Sequence, residues 1–426
     1  MTVTIFLASL CGAMFIGMPV AFALLVCGVS LMLHLHSFDT QILAQNLVSG
    51  ADNFPLMVIP FFMLTGEIMN KGGVSNQIVK VATSMIGHVE GGLGYVAIGA
   101  ALIIASISGS AAADSAALAA VVIPMMRKSN YNVGRSAGLI AGAACIAPIL
   151  PPAMPLVLFG VAAQLSITKL FFTGIAPGLI MALSLVITWK YVARKDFAGT
   201  PKSKFSLPVM LKSLREAIWA LLLPVIIIGG MKTGMFTPTE AAVVAAVVAL
   251  FVSVFIYREM KFSDLPAILL TSAKTASSIM LIVAASMVSA WLITIADIPS
   301  QVTSMMAPFM DNKLLLMVIL MVLVFAVGTA LDLAPTVLIL TPVLMPLIKE
   351  AGIDPYYFGI MFMMNNAIGL ITPPVGTVLN VVSSVARVNL DTVIKGMWPF
   401  LIAETLVMFL CVLFPQLILV PAHWFY

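Results

Sequence analysis

Apolar residues in this chain gather into long runs separated by short polar stretches, at 4–33, 93–107, 170–187, 217–228, 241–256, 314–327 and 397–420. A helix that crosses a bilayer needs about 20 consecutive apolar residues. Some runs reach that length and others are too short or interrupted, so the pattern predicts about ten to twelve membrane segments, partial ones included. The interruptions are themselves patterned. Pro151-Pro152 and Pro373-Pro374 each sit inside an apolar helical run, 222 residues apart. At the same spacing, and with no gap, Pro124 matches Pro346, Gly174 matches Gly396, Pro177 matches Pro399, and Leu179-Ile180 matches Leu401-Ile402. Counted from Ser106, about 75 residues recur. A repeated pair of proline-interrupted membrane segments points to the central binding site of a secondary transporter.

Composition narrows the class. The chain of 426 residues is 62% hydrophobic and 9% charged, with a mean hydropathy of +1.14. Soluble domains are about 45–50% apolar and about 25% charged, so the expected fold is an all-α polytopic membrane protein. Cys11, Cys27, Cys145 and Cys411 are scattered singly and read as small hydrophobes. His34, His36, His88 and His423 lie at segment ends. The start lacks a basic leader and the run 4–33 is too long for a signal peptide, so it is read as a retained membrane helix.

Charge orients the repeats. Lys190, Arg194, Lys195, Lys202, Lys204, Lys212 and Arg215 face Asp196 alone, which places this stretch on the cytoplasmic side. Lys71 and Lys80 of the first half correspond to a region with Asp297, Asp311 and Lys313. Arg127, Lys128 and Arg135 correspond to Lys349, Glu350 and Asp354. Similar sequence with opposite loop charge predicts inverted repeats, at 54–185 and 276–405, joined by a cytoplasmic basic linker at 186–216. Segments 1–53, 217–275 and 406–426 are then mainly scaffold helices. A parallel duplication is the alternative.

Proline lacks an N–H and leaves the carbonyl four residues earlier without its helical partner. Those carbonyls belong to Ala147 and Pro148 in the first copy, and to Gly369 and Leu370 in the second. Within a bilayer each orphan costs several kcal/mol unless it gains another ligand. Sodium, a hard cation, is the expected ligand. Upstream, the run from Ser106 through Ser108, Ser110 and Asp114 aligns with one opening Gly328-Thr329 and reaching Asp332. A carboxylate at membrane depth is costly and usually functional, so Asp114 and Asp332 are expected at or near the site. Beyond the prolines, Ser166, Thr377 and Asn380 are candidate cavity residues, and Asn365 and Asn366 candidate supports for the break. Half-helix N-termini at the breaks would attract a carboxylate without a buried arginine. Glu240, after Thr237-Pro238-Thr239, reads as a helix start. Glu67 and Glu404 have no assigned role.

The segments 60–69 (PFFMLTGEIM), 108–114 (SGSAAAD), 229–242 (GGMKTGMFTPTEAA) and 371–377 (ITPPVGT) together resemble the large membrane subunit of tripartite ATP-independent periplasmic (TRAP) transporters, the DctM family. The likeness extends over essentially the whole chain and is closest to the sialic-acid subunits called SiaM. It implies an elevator-type importer with two re-entrant helical hairpins and broken helices, driven by sodium. It also implies residence in the bacterial inner membrane, a small membrane subunit and a periplasmic binding protein as partners, and an acidic solute such as sialic acid or a C4-dicarboxylate. The family's sodium regions fall on Ser106, Ser108 and Ser110 with Ala147 and Leu150, and on Gly328, Thr329 and Asp332 with Gly369 and Thr372. Ser110, Asp114 and Ser166 fall where the solute site is expected. Ala111 stands where many relatives carry a second consecutive serine. No cofactor beyond the coupling ions and no nucleic-acid partner is implied. Two rivals are an intramembrane enzyme, with Asp114 and Asp332 as an aspartyl dyad, and a membrane anchor without transport activity.

Overall fold

The computed structural model describes residues 2–192, 194, 205–329, 331–373 and 375–425, and the regular elements among them are all helical. Helices α1 (Thr2–Phe15), α2 (Val20–His34), α3 (Thr40–Ala51), α4 (Val58–Lys71) and α5 (Val74–Ile86) precede a hairpin of α6 (Gly92–Ser108) and α7 (Ala111–Lys128). A broken helix follows as α8 (Val133–Ala144) and α9 (Met154–Ala163), and then the long α10 (Ile167–Val192). The middle of the chain holds α11 (Leu207–Lys232), α12 (Pro238–Phe251), α13 (Leu265–Ile295) and α14 (Ile298–Met310). A second hairpin, α15 (Lys313–Gly328) and α16 (Leu333–Glu350), leads into α17 (Pro355–Gly369), α18 (Thr377–Ala386), α19 (Leu390–Leu413) and α20 (Gln416–Ala422).

Six helices are long and apolar enough to cross a membrane, and the pair α3 and α4, bent by 53°, makes a seventh if counted as one span. Leu183, Ile187, Ile218, Val225, Leu323 and Leu406 lie on outward faces, where hydrocarbon is their natural solvent. The run 4–33 is two helices, because Gly17 takes a left-handed φ of 84° and Pro19 follows it. The expected basic linker is also shorter. Lys190 lies in α10 and Lys212 and Arg215 in α11, while Lys195, Asp196, Lys202 and Lys204 lie outside the described residues.

The repeat in sequence is a repeat in structure. Helix α16 begins at Leu333 and ends at Glu350, each 222 residues after the matching end of α7, and α17 begins 222 residues after α8. Asn132 and Asp354 cap the equivalent helices α8 and α17, accepting from the N–H groups of Arg135 (3.0 Å) and Tyr357 (2.8 Å), and each cap satisfies an orphan donor. The match is not gapless. The left-handed residues that end α9 and α18, Gln164 (φ 56°) and Arg387 (φ 53°), are 223 apart, so one residue slips between the prolines and these turns.

Close glycine contacts give the sense of each helix. Along α8, Gly134 lies against Thr392, Gly138 against Gly396 and Gly142 against Phe400. Both chains advance together, so α8 and α19 run the same way. Along α10, in contrast, Gly160 meets Ile167 and Leu170, Gly174 meets Ile149, and Gly178 meets Leu150 and Ile146. Helix α10 therefore runs opposite to α8 and α9, and opposite to α19, its counterpart. Contacts between the halves are reciprocal: α8 packs on α19 as α17 packs on α10, and α7 on α18 as α16 on α9. Cys145 Sγ donates to the carbonyl of Ala367, the residue at its matched position, at 3.2 Å. A second, smaller core joins α1 and α2 to α13 at Leu24, Leu31, Val288 and Leu292.

Candidate functional site

Both hairpins turn at small polar residues. At the first tip, Gly109 has a left-handed φ of 64°, and a β-carbon there would lie 2.8 Å from the Pro152 carbonyl oxygen and the Ala153 Cα, so the tip is pressed against the break between α8 and α9. Ser110 caps α7, its Oγ accepting from the Ala113 N–H (3.4 Å). At the second tip Asp332 caps α16, with Oδ1 accepting from the Leu333 N–H (2.9 Å). A β-carbon on Gly369 would lie 2.7 Å from the Gly328 carbonyl oxygen. Each tip thus rests on the broken helix of its own half.

Between the tips lies a cavity of about 800 Å³, within the range of sites that enclose a small solute. Four helices point their N-termini into it: α7 through Ala111 and Ala112, α9 through Met154 and Pro155, α16 through Leu333 and Ala334, and α18 through Thr377. Each N-terminus carries about half a positive charge from unpaired N–H groups. The cavity is therefore suited to an anion. Its opposite wall is built from the start of α2 (Pro19 to Phe22) and a polar face of α13 (Lys274, Thr275, Ser278).

Oxygen groups without partners collect around the breaks. Among the described residues, no backbone N–H donates to the carbonyls of Ala147, Pro148, Ile149 or Leu150. The second break differs from expectation. The Gly369 carbonyl accepts from the Thr372 N–H (3.0 Å) and the Leu370 carbonyl from the Val378 N–H (3.2 Å). Neither is orphaned, because the chain folds back in a turn rather than continuing as a kinked helix. The first break is likewise a turn after α8 has ended at Ala144, so Pro151 and Pro152 lie between helices; Pro374 lies outside the described residues. In the second half the free oxygen comes from a side chain. Asn366 is fully buried, its Nδ2 donates to the Leu333 carbonyl (3.5 Å), and its Oδ1 has no hydrogen-bond partner. Asn366 Oδ1 also lies beside Gly328. Asn365 donates to the Met321 carbonyl and keeps its own Oδ1 unpaired.

Of the remaining expected residues, Ser106, Ser108 and Thr372 are buried near the tips and breaks. Ser106 Oγ donates to the Ile103 carbonyl (2.7 Å), Ser108 Oγ accepts from the Ser110 N–H (3.3 Å), and Thr372 Oγ1 donates to the Ile368 carbonyl (2.8 Å). Thr329 caps the end of α15 and donates to Ala326 (2.8 Å). Asp114 is 5% exposed in the first turn of α7, its carboxyl group faces the Ser108 hydroxyl, and it lies behind the tip rather than on the cavity wall. Asp332 does line the cavity, so the two carboxylates do not form a dyad across it.

Two expected solute residues are placed elsewhere. Ser166 lies beyond the far end of α9, a half-helix away from the cavity. Its Oγ accepts from the Lys169 N–H (3.4 Å) as the cap of α10, and its own N–H donates to the Tyr356 hydroxyl (3.4 Å). Asn380 sits one turn into α18 and its Nδ2 donates to the Val375 carbonyl (2.8 Å), bracing the loop of the break. Sequence reasoning missed the face of α13, and named Asn366 as a support for the break without foreseeing its unpaired oxygen. The available signal for the former was the polar stretch 271–278 (TSAKTASS) inside an otherwise apolar helical segment. Glu240 is structural as expected, forming a reciprocal cap with Thr237. Glu404 is fully buried with neither oxygen hydrogen-bonded, and Glu67 lines a separate cavity with Asn70, Lys71 and Asp264.

Comparison with known proteins gives a consistent family. Residues 7–417 match the DctM component of the tripartite ATP-independent periplasmic transporters. The chain is 53% identical to the 2,3-diketo-L-gulonate TRAP transporter large permease protein YiaN of Escherichia coli, covering 100% of each chain. It is 36% identical to the sialic acid TRAP transporter large permease protein SiaM of Vibrio cholerae, covering 97% of each. The sialic-acid subunit is thus a more distant relative than the diketogulonate one. The Alcanivorax borkumensis YdaH transporter shares the fold, with a TM-score of 0.65 and 14% identity over 87% of this chain and 86% of that one.

Proposed function

Given that this chain belongs to the DctM family of TRAP transporters, and so is a multi-pass inner-membrane permease subunit, we propose that it imports a small hydroxylated carboxylate by sodium-coupled elevator transport. The observation that carries this reading is the convergence of four half-helix N-termini on one cavity. A site that holds negative charge with backbone dipoles avoids the desolvation cost of several buried cations. The solute is taken to be a sugar acid of the diketogulonate type, since the relative named for that solute is 53% identical and the sialic-acid relative 36%.

Sodium ions occupy the two tip-and-break junctions in this reading. The first would draw on the carbonyls at 147–150 with Ser106, Ser108 and Ser110, and the second on Gly328, Thr329, Asn366 and Asp332. Support comes from the unpaired oxygens concentrated there. The halves act as inverted repeats, a reading supported by the opposite sense of α10 and α19 and by the reciprocal contacts. Such repeats let one site face either side of a membrane in turn. Hairpins and broken helices form the moving part, and α1–α4 with α11–α13 the scaffold. A small membrane subunit and a periplasmic binding protein complete the system.

The test is uptake by proteoliposomes carrying this subunit, its small partner and candidate binding proteins. Uptake of 2,3-diketo-L-gulonate that requires an inward sodium gradient is the expected result. Uptake indifferent to sodium would refute the coupling, and a preference for N-acetylneuraminate or a C4-dicarboxylate would refute the solute class.

A further inference from the structure

We propose that Lys274 is the scaffold's cation for the solute carboxylate, and that sodium bound at Asp332 is what makes its charge available; this rests on the cavity being the solute site. Lys274 and Asp332 are the charged residues on the cavity wall. Lys274 lies nine residues into α13, about 14 Å from the start of that helix. Its ammonium group has no hydrogen-bond or ion-pair partner among the described residues. Helix α13 packs against α2, α3 and α4 as well as α16, so the lysine is held by the wall that faces both tips rather than by either tip.

The neighbouring hydroxyls fit the same solute. Thr275 Oγ1 donates to the Thr271 carbonyl (3.1 Å) and Ser278 Oγ to the Lys274 carbonyl (2.9 Å). Both protons are used within the helix, so both oxygens are left as acceptors toward the cavity. Such a face pairs an ammonium for a carboxylate with two acceptors for solute hydroxyls, which matches a polyhydroxy acid better than an unsubstituted diacid. The charge balance explains coupling. With Asp332 bare, the two wall charges cancel. With sodium on Asp332, the wall carries one net positive charge, which adds to the half-helix N-termini and favours an anion more strongly.

The assay uses the complex of both membrane subunits with its binding protein, and 2,3-diketo-L-gulonate as probe. Lys274→Gln is expected to raise KM by about ten- to hundred-fold, the worth of a charge-assisted hydrogen bond, with the sodium-induced thermal shift unchanged and Lys274→Arg recovering most of the loss. Asp332→Asn is expected to bind the probe more tightly than wild type in sodium-free buffer. A Lys274→Gln complex with wild-type KM overturns the carboxylate role, and loss of the sodium shift in that variant makes the lysine structural instead. Sodium-free binding by Asp332→Asn no tighter than wild type overturns the coupling. If a cavity-filling Ala112→Trp leaves wild-type uptake intact, the cavity reading itself falls, separately from Lys274.

Discussion

Replacing Gly369 by alanine tests whether the second junction binds sodium. A β-carbon at this position would stand 2.7 Å from the Gly328 carbonyl oxygen and 2.8 Å from its carbon. Ordinary contact needs about 3.4 Å, so the tip must retreat by about 0.7 Å, moving the carbonyl assigned to the ion. Overpacking of this size costs about 1–3 kcal/mol, offset by about 1 kcal/mol of improved helix propensity. The propensity gain is common to the ion-free and ion-bound states, so if the overpacking cost of about 1–3 kcal/mol falls on the ion-bound state, sodium affinity drops by about five- to 160-fold. The measurement is the sodium concentration giving half-maximal thermal stabilisation of the purified complex, with the same titration repeated in uptake. Gly99→Ala and Gly229→Ala are controls, because a β-carbon at either meets nothing within 4 Å. A folded Gly369→Ala protein with the midpoint of its two controls would refute the assignment of sodium to this junction.

Gly396→Ala should be more damaging to the fold than Gly369→Ala. Its β-carbon would fall 2.0 Å from the Gly134 carbonyl oxygen, forcing α8 and α19 apart, and the melting temperature in detergent should fall by an amount corresponding to about 3 kcal/mol or more. Ser166→Ala should leave uptake within about two-fold of wild type while costing about 1 kcal/mol as a lost cap; a transport defect in a stable protein would return Ser166 to the solute site. Thr237→Ala should lower stability by about 1 kcal/mol, read by thermal melting, with sodium dependence unchanged, since the capping box with Glu240 is remote from both tips.

The repeat was readable because helix-breaking residues carry conformational information in their identity. A matched Pro or Gly marks the same local geometry wherever it recurs, as Asn132 and Asp354 show by capping equivalent helices. The details failed where a third dimension was needed. Proline chemistry named Gly369 and Leu370 as orphan carbonyls, but it assumed an otherwise intact helix, and the turn that actually forms supplies both with donors. Ser166 was assigned from its place after the prolines and from family likeness, which fix a position in sequence but not which end of a ten-residue half-helix faces the solute. Lys274 carried no assignment because it lies just outside the second repeat, read as 276–405, in a polar stretch (271–278, TSAKTASS) that no matched motif marks. Its neighbours Thr275 and Ser278 acquire meaning only once α2 and the hairpin tips are seen opposite them. The one-residue slip between Pro152 and Gln164 was hidden because register is regained by Gly174.

The hydrogen bond from Cys145 to Ala367 has an implication for how such a chain can change over time. Under a pseudo-two-fold relation, a residue that touches its own counterpart sits at the pivot where the halves meet. An assembly of two identical half-length chains would have to present the same side chain to itself there, thiol against thiol or methyl against methyl. Fusion into one polypeptide removes that constraint, so a thiol on one side can stand opposite a methyl group on the other. Unlike chemistry at the pivot is thus a freedom that a symmetric ancestor could not have used.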